Sequence, residues 1–300
     1  MAEKKREIIP VTNDVMFKAL FVDDSEDYEL LRSFLSAALM IPKSDIVNIL
    51  IKNPELVPLA YEGKMTRLDI LLTTNRHTIN VEMQVASEEY YKERSLLYCA
   101  RMYHDELKEG EDYGKLQPCI GIHILSFTLF PDCTEYHSSF SMREDTRHEQ
   151  LTDRMQLHFF ELPKVRKVSD KNQPDENDEL RLWMQLFKAK TEEELDMLNA
   201  TNVSAIQHGV KAIRSLSEDE KIREYVRQRE KAIQDYYSDM AVAESRGEKR
   251  GRAEGRTEGI EIGELRTLAG LVKDGILTLA DASKRMNMTE EEFTAKAANI

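Results

Sequence analysis

Cysteine is scarce: Cys99, Cys119 and Cys133 are the three in 300 residues. They are odd in number and form no Cys-x-x-Cys pair, which argues against a disulfide framework and a zinc knuckle and leaves them as reduced packing residues. No apolar run approaches the ~20 residues that a membrane span needs, and no charged-then-apolar leader opens the chain. These absences predict a soluble, cytoplasmic protein with no membrane partner. The seven histidines include no His-Glu-x-x-His and no paired ligand spacing. His123, inside an apolar run, is accordingly expected to be a satisfied core residue. An excess of positive charge is also missing, because 42 Lys and Arg face 55 Asp and Glu for a net charge of −13. Phosphate-binding surfaces usually leave a basic footprint, so a nucleic-acid partner requires a local one. Between Lys64 and Arg101 six basic residues face five acids, and binding of a divalent cation would turn that stretch net positive.

With 41% apolar residues the chain can close an α/β core of ordinary size and carry a smaller second module. Thr12-Asn13-Asp14 has cap chemistry ahead of Val15, Met16, Ala19 and Leu20 at helical spacing, predicting a helix from about Asn13 to Phe21. Leu30, Leu31, Phe34, Leu35, Ala38 and Leu39 predict a second helix that ends before Pro42. A strand is expected over Ile46 to Ile51, a helix from about Glu88 to Leu107, and strands over Cys119 to Phe127 and Met155 to Leu162. Strands interrupted by helices imply a mixed sheet with helices packed on it.

Arg67 to Thr73 and Thr78 to Val85 flank the polar turn Thr74-Asn75-Arg76-His77 and predict a hairpin. In its second strand Ile79, Val81, Met83 and Val85 share one face while Asn80, Glu82 and Gln84 share the other, because side chains alternate along a strand. The first face is assigned to the core and the second to a polar cleft. Asp69 precedes Ile70-Leu71-Leu72, so the hairpin projects a carboxylate beside core positions, with Glu82 on the facing strand. Two such carboxylates repel unless one takes a proton or a cation bridges them. Mg²⁺ suits the second solution, since it accepts one or two protein carboxylates and completes its shell with waters and phosphate oxygens.

Asp69 followed by Glu82-x-Gln84 resembles the PD-(D/E)XK nuclease motif in its Glu-x-Gln form. The surrounding blocks resemble the recombination-promoting nuclease and transposase family of that superfamily. Asn13 to Phe21 is similar to the family's N-terminal helix, Arg67-Leu68-Asp69-Ile70 and Val81-Glu82-Met83-Gln84 to its catalytic strands, Arg94 and Tyr98 to the helix behind them, and Tyr113 to Ile124 to the next strand. The resemblance implies a restriction-endonuclease-like α/β core with a mixed sheet, followed by an all-helical C-terminal region. It implies a Mg²⁺-dependent DNA endonuclease of little sequence preference, linked to recombination or mobile DNA. Asp69 and Glu82 would be the metal ligands, Gln84 and Asp14 further catalytic residues, and Lys18, Arg94 and Tyr98 phosphate contacts. Gln84 stands where the superfamily motif has lysine, and an amide can neither carry that charge nor act as a base. The proline that precedes the motif aspartate elsewhere is Leu68 here. A nucleic-acid-binding or assembly protein with little or no activity on the same fold is the competing expectation.

Residues 1–165 are expected to form the nuclease domain and, beyond the polar stretch Lys164 to Asp178, 166–243 a helical module. Residues 244–266 carry Gly247, Gly251, Gly255, Gly259 and Gly263 at every fourth position among Arg and Glu, and 267–300 complete the chain as a small helical tail. Acidic runs such as Thr191-Glu192-Glu193-Glu194 read as solvated helix starts. The glycine repeat over 245–266 is expected to be either a homo-oligomer contact or a charged linker.

Overall fold

The computed structural model describes residues 7–22, 28–52, 70–107, 109–166 and 178–299. Helix α1 (Asp14–Val22) starts where Asn13 Oδ1 accepts from the backbone N–H groups of Val15 and Met16, and it buries Val15, Met16, Phe17, Ala19, Leu20 and Phe21. Helix α2 (Glu29–Leu39) ends as its apolar pattern predicts, with Met40 in the left-handed region at φ 54° and Pro42 beyond it.

Six strands form one mixed sheet: β1 (Leu50–Ile51), β2 (Ile70–Thr73), β3 (Thr78–Gln84), β4 (Cys119–Leu125), β5 (His137–Ser141) and β6 (Met155–Glu161), in the order β1-β2-β3-β4-β6-β5. The β2–β3 hairpin pairs Ile70 with Val81 and Thr73 with Thr78, and Thr74 Oγ1 closes its turn by accepting from the N–H groups of Arg76 and His77. Helix α3 (Tyr91–Asp105) then carries the chain over to β4, which lies parallel to both β3 and β6. All seven residues of β4 are buried, as an apolar run covered on both faces requires.

Three local expectations are corrected. The strand foreseen over Ile46 to Ile51 is reduced to Leu50–Ile51: a 3-10 turn occupies Lys43–Asp45, and Asn48 at φ 55° interrupts the extended backbone. Strand β5 was not foreseen, because His-Ser-Ser-Phe-Ser has no apolar alternation; its extended form is fixed by antiparallel pairing with β6. The face of β3 carrying Asn80 and Glu82 is not an open cleft, since those residues are only 1% and 5% exposed.

The chain divides into two compact units, Met1–Lys231 and Ala232–Ile300. In the first, helices α4 (Glu179–Lys188), α5 (Glu192–Asn199) and α6 (Ser204–Glu218) join α1 and α2 in one core with the sheet. Phe17, Phe21, Phe34, Trp183 and Phe187 form its aromatic centre, with ring centroids 5.3 to 6.0 Å apart. Trp183 and Phe187, from the helices expected within 166–243, thus supply two of that cluster's five rings. Asp178 and Thr191 cap α4 and α5, so the Glu192-Glu193-Glu194 run opens a helix as its sequence predicts. The Ser217-Glu218-Asp219-Glu220 run likewise opens a helix, α7 (Glu220–Lys273), with Asp219 Oδ1 accepting from the N–H groups of Lys221 and Ile222.

In the second unit, Leu265 and Leu268 of α7 pack with Ala282 of α8 (Leu279–Arg285) and Phe293 of α9 (Glu290–Ala297). Thr289 and Glu292 form a capping box at the start of α9. The glycine repeat is helical and exposed throughout, and a Cβ placed on Gly247, Gly251, Gly255, Gly259 or Gly263 would meet nothing within 4 Å. No helix among the described residues is long and apolar enough to cross a membrane.

Candidate active site

Parallel pairing of β3 with β4 sets Glu82 directly beside His123, and Tyr91, the first residue of α3, meets the His123 ring. Glu82 Oε1 accepts from Asn80 Nδ2 at 2.9 Å, a contact between side chains two residues apart on one strand face. Its other oxygen, Oε2, lies 3.4 Å from His123 Nδ1, and Tyr91 Oη lies 3.0 Å from the same nitrogen. Burial by itself would raise the Glu82 carboxyl. The hydrogen bond and charge of His123, the hydrogen bond of Asn80 and the charge of Arg94 outweigh that effect, and the net shift is downward. Glu82 is therefore a buried carboxylate held in its ionised form.

Gln84 ends β3 at the rim of this cluster. Its amide nitrogen donates to Ala86 O at 3.1 Å and Glu88 Oε1 at 3.0 Å, and its amide oxygen accepts from Arg94 Nη2 at 3.2 Å. Arg94 Nη1 is paired with Glu88. The guanidinium sits 5.0 Å from the Tyr91 ring centre and 5.7 Å from that of Tyr98, so the i, i+4 pair Arg94 and Tyr98 forms a stacked contact. Burial lowers the Arg94 pKa, while Glu88, and more distantly Glu82, raise it further than that.

Buried polar atoms without a hydrogen-bond partner among the described residues gather in this region. Asn80 Oδ1, Arg94 Nε, His123 Nε2 and Ser126 Oγ are four of eight, where a settled core would pair them. Ser126 follows β4, and its N–H donates to Gln84 O, so it belongs to the same strand ends.

The structure brings Glu82, Gln84, Arg94 and Tyr98 together. Asp69 lies outside the described residues; its neighbour Ile70 opens β2 opposite Val81, one residue before Glu82. Asp14 is engaged elsewhere: Oδ1 accepts from the N–H of Val15, and Oδ2 is paired with Arg229 of α7. Lys18 is half-buried on α1. Sequence reasoning missed Glu88, the anion that links Gln84 to Arg94, and misjudged His123, whose ring is buried but unsatisfied at Nε2. A signal for His123 existed in Gly121, two residues earlier on the same strand face, where an added Cβ would lie 3.0 Å from His123 Nε2.

A hard divalent cation is the cofactor that this fold implies, and the donors suit one. Glu82 offers an ionised carboxylate, and Asn80 Oδ1 is an orphaned buried oxygen beside it. Among the described residues no three His, Cys, Asp or Glu side chains form a ligand group, so Glu82 is the one acid of the expected pair that can be located.

No curated protein and no solved structure matches the chain. The family model described as PD-(D/E)XK nuclease family transposase matches residues 11–243, spanning α1, the whole sheet, α4 to α6 and the start of α7. The mixed sheet, the Glu82-x-Gln84 strand beside the hairpin and this match over most of the length agree, and the chain belongs to the PD-(D/E)XK nuclease family transposases.

Proposed function

We propose that the chain is a Mg²⁺-dependent DNA endonuclease that hydrolyses phosphodiester bonds with little sequence preference, in the service of recombination or mobile DNA. The observation that carries this reading is Glu82: an ionised carboxylate inside the protein with the unpaired amide oxygen Asn80 Oδ1 beside it, a pair of hard oxygen donors that a divalent cation would use. Glu82 and Asp69 would hold the ion, Asp69 entering on the sequence motif. The chemistry such a cation supplies is a more acidic water and neutralised charge on the phosphate. In this reading Gln84, at the rim, would orient that water by hydrogen bonding, and Arg94 with Tyr98 would receive a phosphate oxygen once Glu88 releases the guanidinium. Lys18 is a further phosphate contact in this reading. Asp14, committed to Arg229, is given no step in the cleavage.

One observation favours the competing reading of a nucleic-acid-binding or assembly protein without useful activity. Both ends of the Gln84 amide are tied down, to Arg94 on one side and to Glu88 and Ala86 on the other. Plasmid nicking with Mg²⁺ against EDTA separates the two. Cleavage that needs the cation, and that Asp69→Ala and Glu82→Ala each abolish with unchanged circular dichroism, supports the nuclease. Cation-dependent cleavage at the wild-type rate in Glu82→Ala refutes this site.

The same reading makes the glycine repeat a homo-oligomer contact. Residues 245–252 carry four basic side chains against one acid, and 256–264 one against three. A second copy laid antiparallel about Gly255 would set the basic half of each helix against the acidic half of the other. Light scattering on the full chain tests it: a monomeric mass at micromolar concentration refutes the contact.

A further inference from the structure

We propose that His123, backed by Tyr91, is a positioning residue for Glu82, holding one carboxylate oxygen so that the group presents its remaining lone pairs to a divalent cation. The inference rests on the metal-dependent reading above. A carboxylate only accepts hydrogen bonds, so the approach of Nδ1 to Glu82 Oε2 at 3.4 Å places the proton on Nδ1. Tyr91 Oη, 3.0 Å from Nδ1, anchors the ring at that edge. The opposite nitrogen, Nε2, has no partner among the described residues.

The ring has little freedom to turn away. It stacks on Phe159, with centroids 5.0 Å apart and planes 18° from parallel, and Tyr91 meets it edge-on at 5.7 Å and 88°. Gly121 provides the space for this orientation, because any Cβ there would press on Nε2 and on Leu157 Cδ2. Two donors thus hold Glu82 from opposite sides: Asn80 on Oε1 and His123 on Oε2. Each carboxylate oxygen has two lone-pair directions, so both keep capacity for a cation. A ligand oriented this way binds without first losing rotamer freedom, and partners of this kind typically contribute about 10- to 100-fold in metal affinity.

The test is calorimetric titration of the full chain with Mn²⁺ or Mg²⁺ alone, without DNA, alongside thermal melting of each variant. The wild type should bind, Glu82→Gln should not, and His123→Leu should bind at least about tenfold more weakly. His123→Asn, which returns an N–H donor close to the Nδ1 position, should recover most of that loss. A merely structural role predicts no such rescue. If His123→Leu does not fold, Tyr91→Phe, which keeps the ring and removes the hydroxyl, serves in its place and should weaken binding severalfold. Wild-type affinity in a folded His123→Leu or, in its place, in Tyr91→Phe overturns the inference and leaves the metal site standing, as does His123→Asn binding no better than His123→Leu. A wild type that binds neither ion overturns the metal site and the inference together.

Discussion

Replacing Gly247, Gly251, Gly255, Gly259 and Gly263 together by alanine should make this part of α7 much harder to open. In a helix interior each glycine costs about 0.8–1 kcal/mol relative to alanine, so the five together cost about 4–5 kcal/mol. Local ion pairs do not offset that sum. The exposed pairs Glu248 with Arg252 and Arg250 with Glu254 are spaced i, i+4 and contribute only about 0.3–0.5 kcal/mol each. No steric term opposes the change, because nothing lies within 4 Å of any of the five added methyl groups. At 1.4 kcal/mol per factor of ten, a gain of that size slows backbone hydrogen exchange over 245–266 by up to about a thousandfold. Exchange followed by mass spectrometry measures it, and unchanged protection would refute the argument that these residues form a helix limited by glycine. Light scattering on the same variant reads the other half of the idea. If close backbone approach joins two copies, five methyl groups should lower the mass toward that of the monomer even as the helix itself becomes firmer.

His158 is buried and its pKa is depressed to about 4 by burial, with the charges of His137 and His123 adding to the effect. Between the ordinary value of 6.5 and that depressed value the unfolded chain takes up a proton that the folded chain refuses. Stability should therefore fall as pH falls through this window, by up to about 3 kcal/mol, and be insensitive to this group above it. Urea unfolding at pH 7 and pH 4.5 should show a smaller loss in His158→Gln than in the wild type; equal losses would remove His158 as a cause. Gly209→Ala should lower the melting temperature of the first unit, because the new Cβ would lie 2.6 Å from Leu186 Cδ2, itself packed without exposure. Overpacking of about 1–3 kcal/mol there outweighs the ~1 kcal/mol gained in helix propensity, and a raised midpoint would contradict this. Glu88→Gln removes the anion that occupies Arg94 and should strengthen binding to an oligonucleotide, steepening the salt dependence by about one phosphate contact. Fluorescence anisotropy across a salt series measures this, and an unaltered slope would take Arg94 out of phosphate binding.

The elements that the sequence determined by itself are those whose signal is local. Apolar spacing along Asp14–Val22 and Glu29–Leu39, the polar turn between β2 and β3, and the unbroken apolar run of β4 each depend on residues within a few turns or a few strand positions. The Glu82-x-Gln84 motif was legible for the same reason, since chemistry and strand period coincide within three residues. Long-range pairing decided the rest. The β5 sequence acquires its strand only beside β6, and Asn80 and Glu82, which read as a polar cleft, are buried in the folded chain. His123 looked like an ordinary core residue because its task depends on the parallel register that sets it against Glu82, and a register between distant strands leaves no trace in spacing. Arg94 and Glu88 are near neighbours in sequence, yet that their charges meet at Gln84 was fixed only when α3 docked against the end of β3. A carboxylate motif is therefore visible from composition and period, whereas the groups that hold it ionised and aimed come from elsewhere in the chain, because desolvation and hydrogen-bond geometry exist only in the packed molecule.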